Sequence, residues 1–296
     1  MLTEPLIQQL QSLRLPGMAA ALTQQLSSRE HAGLSFDERL SLLIQHETTA
    51  RASARLAQRL RWARLPSSAV LEDLDTRTPR GIDPRHLAQV RDLAWIHEHL
   101  NVLITGPCGV GKSFIACALA HAACRADHSV RCFRLPRLAD ELARYRALNN
   151  RSSFLKQLAK ADLLLIDDFG LAPMGEDVKR DLLEILDDRY DRRSTLITSQ
   201  LPVDQWHAYL ADPTLADAIL DRLVHNSYRL ALTCIDPALS AQVRPLKHTL
   251  HRVSSCRAPD AGVGCCRTGS NQRSRASHAV GSRTGADVRI APSGFG

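Results

Sequence analysis

The sequence has no apolar run long enough for a membrane-spanning helix. Its first residues, MLTEPLIQQLQSLRL, lack the apolar core of a secretory signal peptide. None of its eight cysteines forms a paired C-x2-C set, and no histidine pair near them has the spacing of zinc ligands. These absences argue against a membrane protein, an exported disulfide scaffold and a zinc module. We therefore expect a cytoplasmic protein.

The sequence also predicts which cysteines are buried. Free cysteine is among the residue types most often found in protein cores. The first four are therefore expected to be small buried residues: Cys108, Cys117, Cys124 and Cys132. The other four are Cys234, Cys256, Cys265 and Cys266.

Leucine is absent from residues 251–296, where glycine, serine and arginine replace it. A segment of this composition buries too little apolar surface to fold, so we expect a disordered tail over residues 236–296. The same segment holds seven arginines against two acidic residues, which is most of the net charge of +7. The remainder of the chain is nearly neutral, so the total charge does not by itself indicate nucleic-acid binding.

Residues 1–70 have the periodicity of helices and predict a small N-terminal helical domain. An apolar stripe along one helical face consists of Leu40, Leu43 and Ile44 and later of Leu56 and Leu60. Five arginines run through the same region: Arg51, Arg55, Arg59, Arg61 and Arg64. Such a run is either a solvated helical face or a contact for DNA or a protein partner.

Short apolar segments alternate with helical patterns over residues 71–235. The candidate strands are NVLIT (101–105), SVRCFRL (129–135), DLLLI (162–166), TLITS (195–199) and SYRLAL (227–232). Strands that alternate with helices form βαβ units. The sequence therefore predicts an α/β domain in which a parallel sheet is flanked by helices on both faces.

The first of these strands leads into GPCGVGKS, and the helical segment FIACALAHAAC follows at once. This is the G-x4-G-K-S phosphate loop in the strand–loop–helix setting that it requires. The loop predicted to surround the phosphates of ATP consists of Gly106, Pro107, Cys108, Gly109, Val110 and Gly111. Lys112 is expected to reach the β- and γ-phosphates, and the hydroxyl of Ser113 to ligate Mg²⁺. ATP and Mg²⁺ are the predicted ligands.

Two adjacent carboxylates, Asp167 and Asp168, follow the apolar segment DLLLI. Unpaired carboxylates beside a buried strand are costly, so such a pair usually serves a cation or a reaction. Asp167 is predicted to hold Mg²⁺. Asp168 is predicted to orient or deprotonate the water that attacks the γ-phosphate, and the alternative is the cap of a turn before Phe-Gly.

Two later segments supply further catalytic candidates. The strand in STLITSQLP ends at Ser199 and Gln200, which could sense the γ-phosphate or the attacking water, although an ordinary turn fits as well. Arg222, in ADAILDRLVHNSY, could neutralise transition-state charge at the γ-phosphate of a neighbouring protomer. The alternative for Arg222 is an ordinary exposed pair with Asp221.

Taken in order, GPCGVGKS, LLLIDDFG, LITSQLPVDQWH and DPTLADAILDRLVHNSYRL resemble the AAA+ ATPases of the IstB-like family, whose nearest relatives are DnaC-type helicase loaders. The resemblance covers about residues 1–233 and includes LRLPGMAAAL, RWARLP and RGIDPRHLAQV. It implies a homo-oligomer with ATP between protomers, double-stranded DNA inside the assembly and delivery of that DNA to a transposase. The N-terminal helices would contact the transposase or neighbouring protomers.

The resemblance also implies roles for individual residues. Gly106, Gly111, Lys112 and Ser113 would bind ATP and Mg²⁺, Asp167 would hold the metal, Asp168 would be the catalytic carboxylate and Arg222 would act in trans. Four arginines lie where related proteins line the DNA path: Arg134, Arg137, Arg144 and Arg146. Their contacts would be sequence-independent and salt-sensitive, and a solvated helix face is the alternative.

The favoured function is an ATP-dependent DNA-binding helper of insertion-sequence transposition. A replicative helicase loader is the second reading, and a small-molecule P-loop kinase is a third from another class. A kinase usually has an arginine-rich lid, and no clear lid segment stands between the motifs. The chain departs from the family in one place, because LALTCIDPALSAQVRPLK replaces a Gly-Glu-Ser-x-Arg-Lys type ending. ATP binding with poor hydrolysis is therefore an alternative for this chain.

Overall fold

The structure is a computed structural model that describes residues 3–28, 31, 33–74 and 84–233. All of these lie in one compact unit, Met1–Pro245. The predicted tail, residues 236–296, and the last four cysteines fall outside the described residues, and the predicted domain boundary at residue 70 remains a prediction. No helix in the described part of the chain is long and apolar enough to cross a membrane.

Three helices open the chain: α1 (Thr3–Ser12), α2 (Pro16–Ser27) and α3 (Phe36–Ala63). A capping box starts α3, in which the Ser35 amide donates to Glu38 Oε2 at 2.8 Å and the Glu38 amide donates to Ser35 Oγ at 3.3 Å. The buried carboxylate of Glu47 accepts a hydrogen bond of 2.8 Å from the Gly17 amide. A Cβ atom on Gly17 would lie 2.7 Å from the Glu47 Cα atom, so glycine permits this close approach of α2 to α3.

Five parallel strands form one sheet: β1 (Asn101–Thr105), β2 (Val130–Arg134), β3 (Leu163–Phe169), β4 (Ser194–Ser199) and β5 (Ser227–Ala231). Their spatial order is β2-β3-β4-β1-β5. Each predicted strand is present, and the α/β prediction is confirmed. The main difference lies in β3, which continues past the predicted end at residue 166 through both aspartates and Phe169.

Eight further helices flank the sheet within the described residues: α4 (Pro84–Arg91), α5 (Ala94–His97), α6 (Lys112–Arg125), α7 (Leu135–Ala147), α8 (Arg151–Lys160), α9 (Glu176–Arg189), α10 (Trp206–Leu210) and α11 (Pro213–Val224). Alternate side chains of β1 enter different cores. Val102 and Ile104 pack with α6, and Leu103 packs with α7 to α11. Helices on both faces bury the central strands β1, β3 and β4 on both sides, which explains the apolar runs at their centres.

The second half of α3 lies against the edge strand β2. Leu56 and Leu60 pack against the core that contains α6, as their periodicity predicts, whereas Ile44, farther toward the N-terminus of α3, is 50% exposed. The Nη1 atom of Arg131, on β2, donates to the Trp62 carbonyl oxygen at 3.0 Å. Helix α3 thus covers the edge strand β2 and connects the sheet to α1 and α2.

A buried arginine holds several elements together where the strands begin. Arg189 is 1% exposed, and its Nη1 atom donates to the carbonyl oxygens of Leu158 and Ala161, both at 2.7 Å. Its Nη2 atom donates to the Ser194 carbonyl oxygen, and its Nε atom to Thr195 Oγ1 at 3.2 Å. Burial lowers the pKa of this guanidinium. One side chain therefore joins α9, the end of α8 and the start of β4.

We expect Arg189→Met to lower the free energy of unfolding by about 3 kcal/mol, because buried carbonyls that lose a partner cost about 1–3 kcal/mol each and such costs are not fully additive. Urea-induced unfolding measures the change. Arg192→Met is the control, since Arg192 is exposed and should change stability by less than about 0.5 kcal/mol. Equal unfolding midpoints for the two variants would contradict this prediction.

Candidate functional site

The phosphate loop, the aspartate pair and Ser199 come together because neighbouring parallel strands have their carboxyl ends at the same end of the sheet. The phosphate loop follows β1, the aspartate pair lies at the end of β3, and Ser199 ends β4, which lies between β1 and β3. Ligands of open α/β sheets bind at this carboxyl edge.

The backbone of the phosphate loop requires glycine at its first position. Gly106 has φ +145°, and a Cβ atom there would overlap the carbonyl oxygen of Leu232. Its amide donates to the Ser199 carbonyl oxygen at 3.2 Å, which fixes the start of the loop against the end of β4. At the other end, Gly111 has φ +96° and is the N-cap of α6, which begins at Lys112.

The loop offers unpaired hydrogen-bond donors. Within the described part of the chain, the amides of Cys108, Gly109 and Gly111 have no recorded hydrogen-bond acceptor. They precede the N-terminus of a 14-residue helix, whose dipole adds partial positive charge. Amides in this position suit phosphate oxygens, and this agrees with the prediction of a nucleotide.

Lys112 is 7% exposed, and its side chain points back toward the phosphate loop that precedes it. Its Nζ atom donates to the Pro107 carbonyl oxygen at 2.7 Å. Burial lowers the pKa of Lys112, and the charges of Asp168 and Asp167 partly oppose this shift. No carboxylate of the described residues forms an ion pair with the ammonium, so a phosphate would supply the missing negative charge.

A hydroxyl and a carboxylate meet beside this lysine. Asp167 is 5% exposed, and its Oδ1 atom accepts a hydrogen bond of 2.8 Å from Ser113 Oγ and a second one from Thr198 Oγ1. Its Oδ2 atom accepts none from the described residues. Oxygen ligands of this kind suit Mg²⁺, which usually binds one or two protein groups together with waters and substrate phosphates. The described residues contain no cluster of three or more acidic, histidine or cysteine side chains, and such a magnesium site needs none.

A β-bulge places the two aspartates. Ile166 pairs with Ile197 and Phe169 with Ser199, so two residues of β3 lie opposite one residue of β4, Thr198. The Thr198 hydroxyl bonds Asp167 and also accepts from the Asp168 amide at 3.2 Å. Asp168 has φ +61°. In a regular strand neighbouring side chains point to opposite faces, and the bulge interrupts that alternation.

Asp168 has an ion-pair partner that the sequence did not predict for it. Its Oδ2 atom accepts from Arg134 Nε at 2.7 Å and also from Nη2 of the same side chain. Hydrogen bonding to Asp168 raises the pKa of Arg134. Arg134 ends β2 and precedes α7, so it connects the aspartate to the helix whose arginines were predicted to line a DNA path.

The candidates at the end of β4 differ in exposure. Ser199 is buried, and its hydroxyl donates to the Phe169 carbonyl oxygen at 2.6 Å and accepts from the Leu201 amide at 3.0 Å. Its hydroxyl therefore closes the turn. Gln200 is exposed at the same edge of the sheet. A role in sensing phosphate remains a prediction for both.

Arg222 lies near the amino ends of the strands, at the end of the sheet opposite the phosphate loop. Its carbonyl oxygen accepts from Asn101 Nδ2 at 2.9 Å, and Asn101 is the first residue of β1. The phosphate loop follows the other end of this strand, about 16 Å away at 3.3 Å per residue. The guanidinium donates to Asp187 at 2.7 Å and to Asp221 at 3.1 Å. Arg222 is thus separate from the phosphate loop of its own chain.

Most arginines of the predicted DNA path have acidic partners in this structure. Besides Arg134, Arg144 pairs with Glu141 at 3.1 Å, and Arg146 pairs with Asp177 and Asp181, both at 2.7 Å. Arg137 is exposed and has no recorded partner among the described residues. Contact with DNA stays a prediction for all four.

The expectation of buried cysteines is confirmed for Cys117, Cys124 and Cys132 and wrong for Cys108. Cys108 lies on the phosphate loop, outside the cores, and is exposed. Burial raises the pKa of Cys117 and of Cys124 to about 11.

The glycine-rich loop between β1 and α6, its buried lysine and the bulged acidic strand define a P-loop nucleotide-binding protein of the α/β class. The sequence model of the IstB-like ATP binding protein family matches residues 8–234, and the chain belongs to this family.

Known relatives carry names from the same group. An insertion sequence ATP-binding protein of Sinorhizobium fredii is 48% identical over 233 residues, which cover 79% of this chain and 95% of the relative. The ATP-binding protein of insertion sequence IS21 from Pseudomonas aeruginosa is 33% identical over 227 residues, which cover 77% and 84%. Among solved structures, DnaI matches with a TM-score of 0.47 at 20% identity over 56% of this chain and 92% of its own. The DnaC helicase loader matches with a TM-score of 0.42 at 20% identity over 50% and 88%.

The exposure of Cys108 makes nucleotide binding observable by thiol labelling. We expect iodoacetamide at pH 8 to modify Cys108 at least about tenfold faster than Cys117 or Cys124, since the thiolate is the nucleophile and theirs are buried with raised pKa values. ATP should slow the labelling of Cys108. Peptide mass spectrometry reports each site, and unfolding in urea is the control that exposes all of them. Labelling of Cys108 that is equally fast with and without saturating ATP would contradict a nucleotide in this loop.

Proposed function

We propose that this protein is an ATP-hydrolysing, DNA-binding helper of insertion-sequence transposition. In the cytoplasm it would bind ATP and Mg²⁺ between protomers of a homo-oligomer, assemble on double-stranded DNA largely without regard to sequence, and deliver that DNA to the transposase of the same element. The observation that carries the proposal is the contact of Ser113 with Asp167 beside the buried Lys112, in a chain of the IstB-like family.

The nucleotide half of the proposal follows from the loop. The amides of Cys108, Gly109 and Gly111 and the ammonium of Lys112 bind the phosphates, and Lys112 exchanges its bond to Pro107 for phosphate oxygens. Ser113 and Asp167 hold the metal through oxygen atoms that already lie 2.8 Å apart. Mg²⁺, when bound, offsets the negative charge of the β- and γ-phosphates.

Asp168 is the proposed catalytic base. Its carboxylate accepts a proton from the water that attacks the γ-phosphorus atom, and the products are ADP and inorganic phosphate. The Oδ2 atom is bonded to Arg134 in this structure, so that ion pair has to loosen before Oδ2 can accept a proton. Hydrolysis would then serve as a switch between assembled states, because no second substrate receives the phosphoryl group.

The position of Arg222 supports a role across a protomer interface. It lies near the amino ends of the strands, whereas the phosphate loop follows the carboxyl end of β1. A nucleotide that Arg222 reaches therefore belongs to another copy of the chain. A helicase loader would use the same chemistry, and the names of the relatives as insertion-sequence proteins favour the transposition helper.

We expect duplex DNA of unrelated sequences to stimulate ATP hydrolysis by the purified chain. Lys112→Ala should weaken ATP-dependent DNA binding by at least about tenfold, or 1.4 kcal/mol, because the phosphates lose their buried cation. Lys156→Ala removes an exposed lysine of α8 and is the matched control. Binding of DNA by Lys112→Ala at the parent's level, at equal ATP and salt, would remove the proposed link between nucleotide and DNA. Phosphate appearing on a small acceptor would establish a kinase instead.

A mixing experiment tests the trans assignment. Arg222→Ala and Asp168→Asn are each expected to lower the hydrolysis rate by at least about 100-fold, since each removes one part of the same transition state. Equimolar mixtures should recover part of the rate, because some interfaces then combine an intact Asp168 with an intact Arg222. If both variants assemble and their mixture recovers nothing, Arg222 does not act across an interface.

A further inference from the structure

A basic groove lies away from the phosphate loop, between the C-terminal half of α3 and the start of β2. It has a volume of about 620 Å³ and is lined by five arginines and no carboxylate. The arginines are Arg55, Arg59, Arg61, Arg64 and Arg131. Four of them belong to the run that the sequence left open as either a solvated face or a contact for a partner.

Most of these arginines lack an acidic partner. Arg59 pairs with Asp127 and donates to the Cys124 carbonyl oxygen at 3.0 Å. Arg55, Arg61 and Arg64 have no ion pair or hydrogen bond from their side chains to any of the described residues. Their charge therefore remains available to a ligand, unlike that of Arg144 and Arg146 in α7.

The fifth arginine is buried and only partly satisfied. Arg131 is 6% exposed, its Nη1 atom donates to the Trp62 carbonyl oxygen at 3.0 Å, and its Nε atom has no hydrogen-bond partner in the described structure. The guanidinium lies 4.4 Å from the centroid of the Trp62 ring. Burial lowers the pKa of Arg131, and the charge of Arg64 adds to this effect. A buried cation beside like charges is costly, so the groove is built to receive negative charge.

We propose that this groove binds the phosphodiester backbone of nucleic acid, as a contact separate from α7. Arg64 directly follows the last residue of α3 and is nine residues after Arg55, which corresponds to about 14 Å along the helix axis. That length equals about four phosphate spacings of one strand, because successive phosphates of a strand are 3.4 Å apart along the duplex axis. A single phosphate ion would not need so long an array. The inference rests on the proposed function in one respect, namely that this protein acts on DNA.

The test compares two double variants that remove equal charge. Arg55→Gln with Arg61→Gln changes exposed groove residues that have no recorded partners, and glutamine keeps the helix propensity. Arg91→Gln with Arg192→Gln changes two exposed arginines on α4 and after α9, outside the groove. Binding of a fluorescein-labelled duplex is measured at saturating ATP over a range of salt concentrations. Basal hydrolysis without DNA should be the same in both variants.

The groove variant should bind duplexes of different sequence more weakly, and the slope of log K against log salt should be lower by about 2, because each phosphate contact contributes about 0.9. The control variant should keep the parent slope. Equal slopes in all three proteins would overturn the proposal. Displacement of the duplex by inorganic phosphate at constant ionic strength would also overturn it in favour of a single-anion site. Parent-like DNA binding with loss of self-association would assign the groove to an acidic protein surface instead.

Failure of the groove can be distinguished from failure of the proposed function. If the parent chain binds DNA and the groove variant binds it equally well, only the groove assignment is wrong. If the parent chain binds no DNA with or without ATP, both proposals are wrong.

Discussion

The hydroxyl of Thr198 lies opposite two consecutive aspartates, and the arrangement of the site depends on this contact. A strand alternates its side chains between faces, so Asp167 and Asp168 would point to opposite faces of a regular β3. The bulge sets both residues against one threonine, which donates to the first carboxylate and accepts from the amide of the second. Asp167 then meets Ser113 while Asp168 meets Arg134. One irregular ladder position therefore gives two adjacent carboxylates different partners.

The order of the strands in the sheet brings together the strand ends that form this contact. Parallel strands in the order β2-β3-β4-β1-β5 place β4 between the acidic strand and the phosphate loop, so Thr198 and Ser199 reach both neighbours. The Ser199 carbonyl oxygen accepts from Gly106, and the Ser199 hydroxyl donates to Phe169. At the amino ends of the strands, Arg189 and Asn101 join the starts of strands to the ends of helices. Both ends of the sheet are thus fixed by polar side chains, and the apolar cores supply most of the burial between them.

The parts of the site that sequence could predict are those encoded by neighbouring residues. The phosphate loop is one continuous segment with its own strand and helix, and all five strands follow from local apolar patterns. Asp167 and Asp168 stand out because charge follows an apolar run. The contacts across the sheet could not be predicted in this way. Thr198 is an ordinary β-branched residue within a predicted strand, and its signal was only its position one residue before Ser199. Arg134 was assigned to a DNA path from the family resemblance, and the sequence gives no sign that β2 ends next to Asp168.

The two sets of arginines show the same limit of prediction from local sequence. The sequence presents two sets of arginines, one on α3 and one beginning at Arg134, and nothing in their spacing distinguishes a solvated face from a binding surface. The structure separates them by their partners. Arg146 pairs with Asp177 and Asp181 within its own fold, whereas Arg61 and Arg64 pair with none of the described residues. An anion that approaches α7 must compete with carboxylates already in place, whereas within the described residues only Arg59 of the groove arginines has a carboxylate partner, Asp127. The local balance of paired and unpaired charge is therefore a better guide to a polyanion surface than the near-neutral total of residues 1–250.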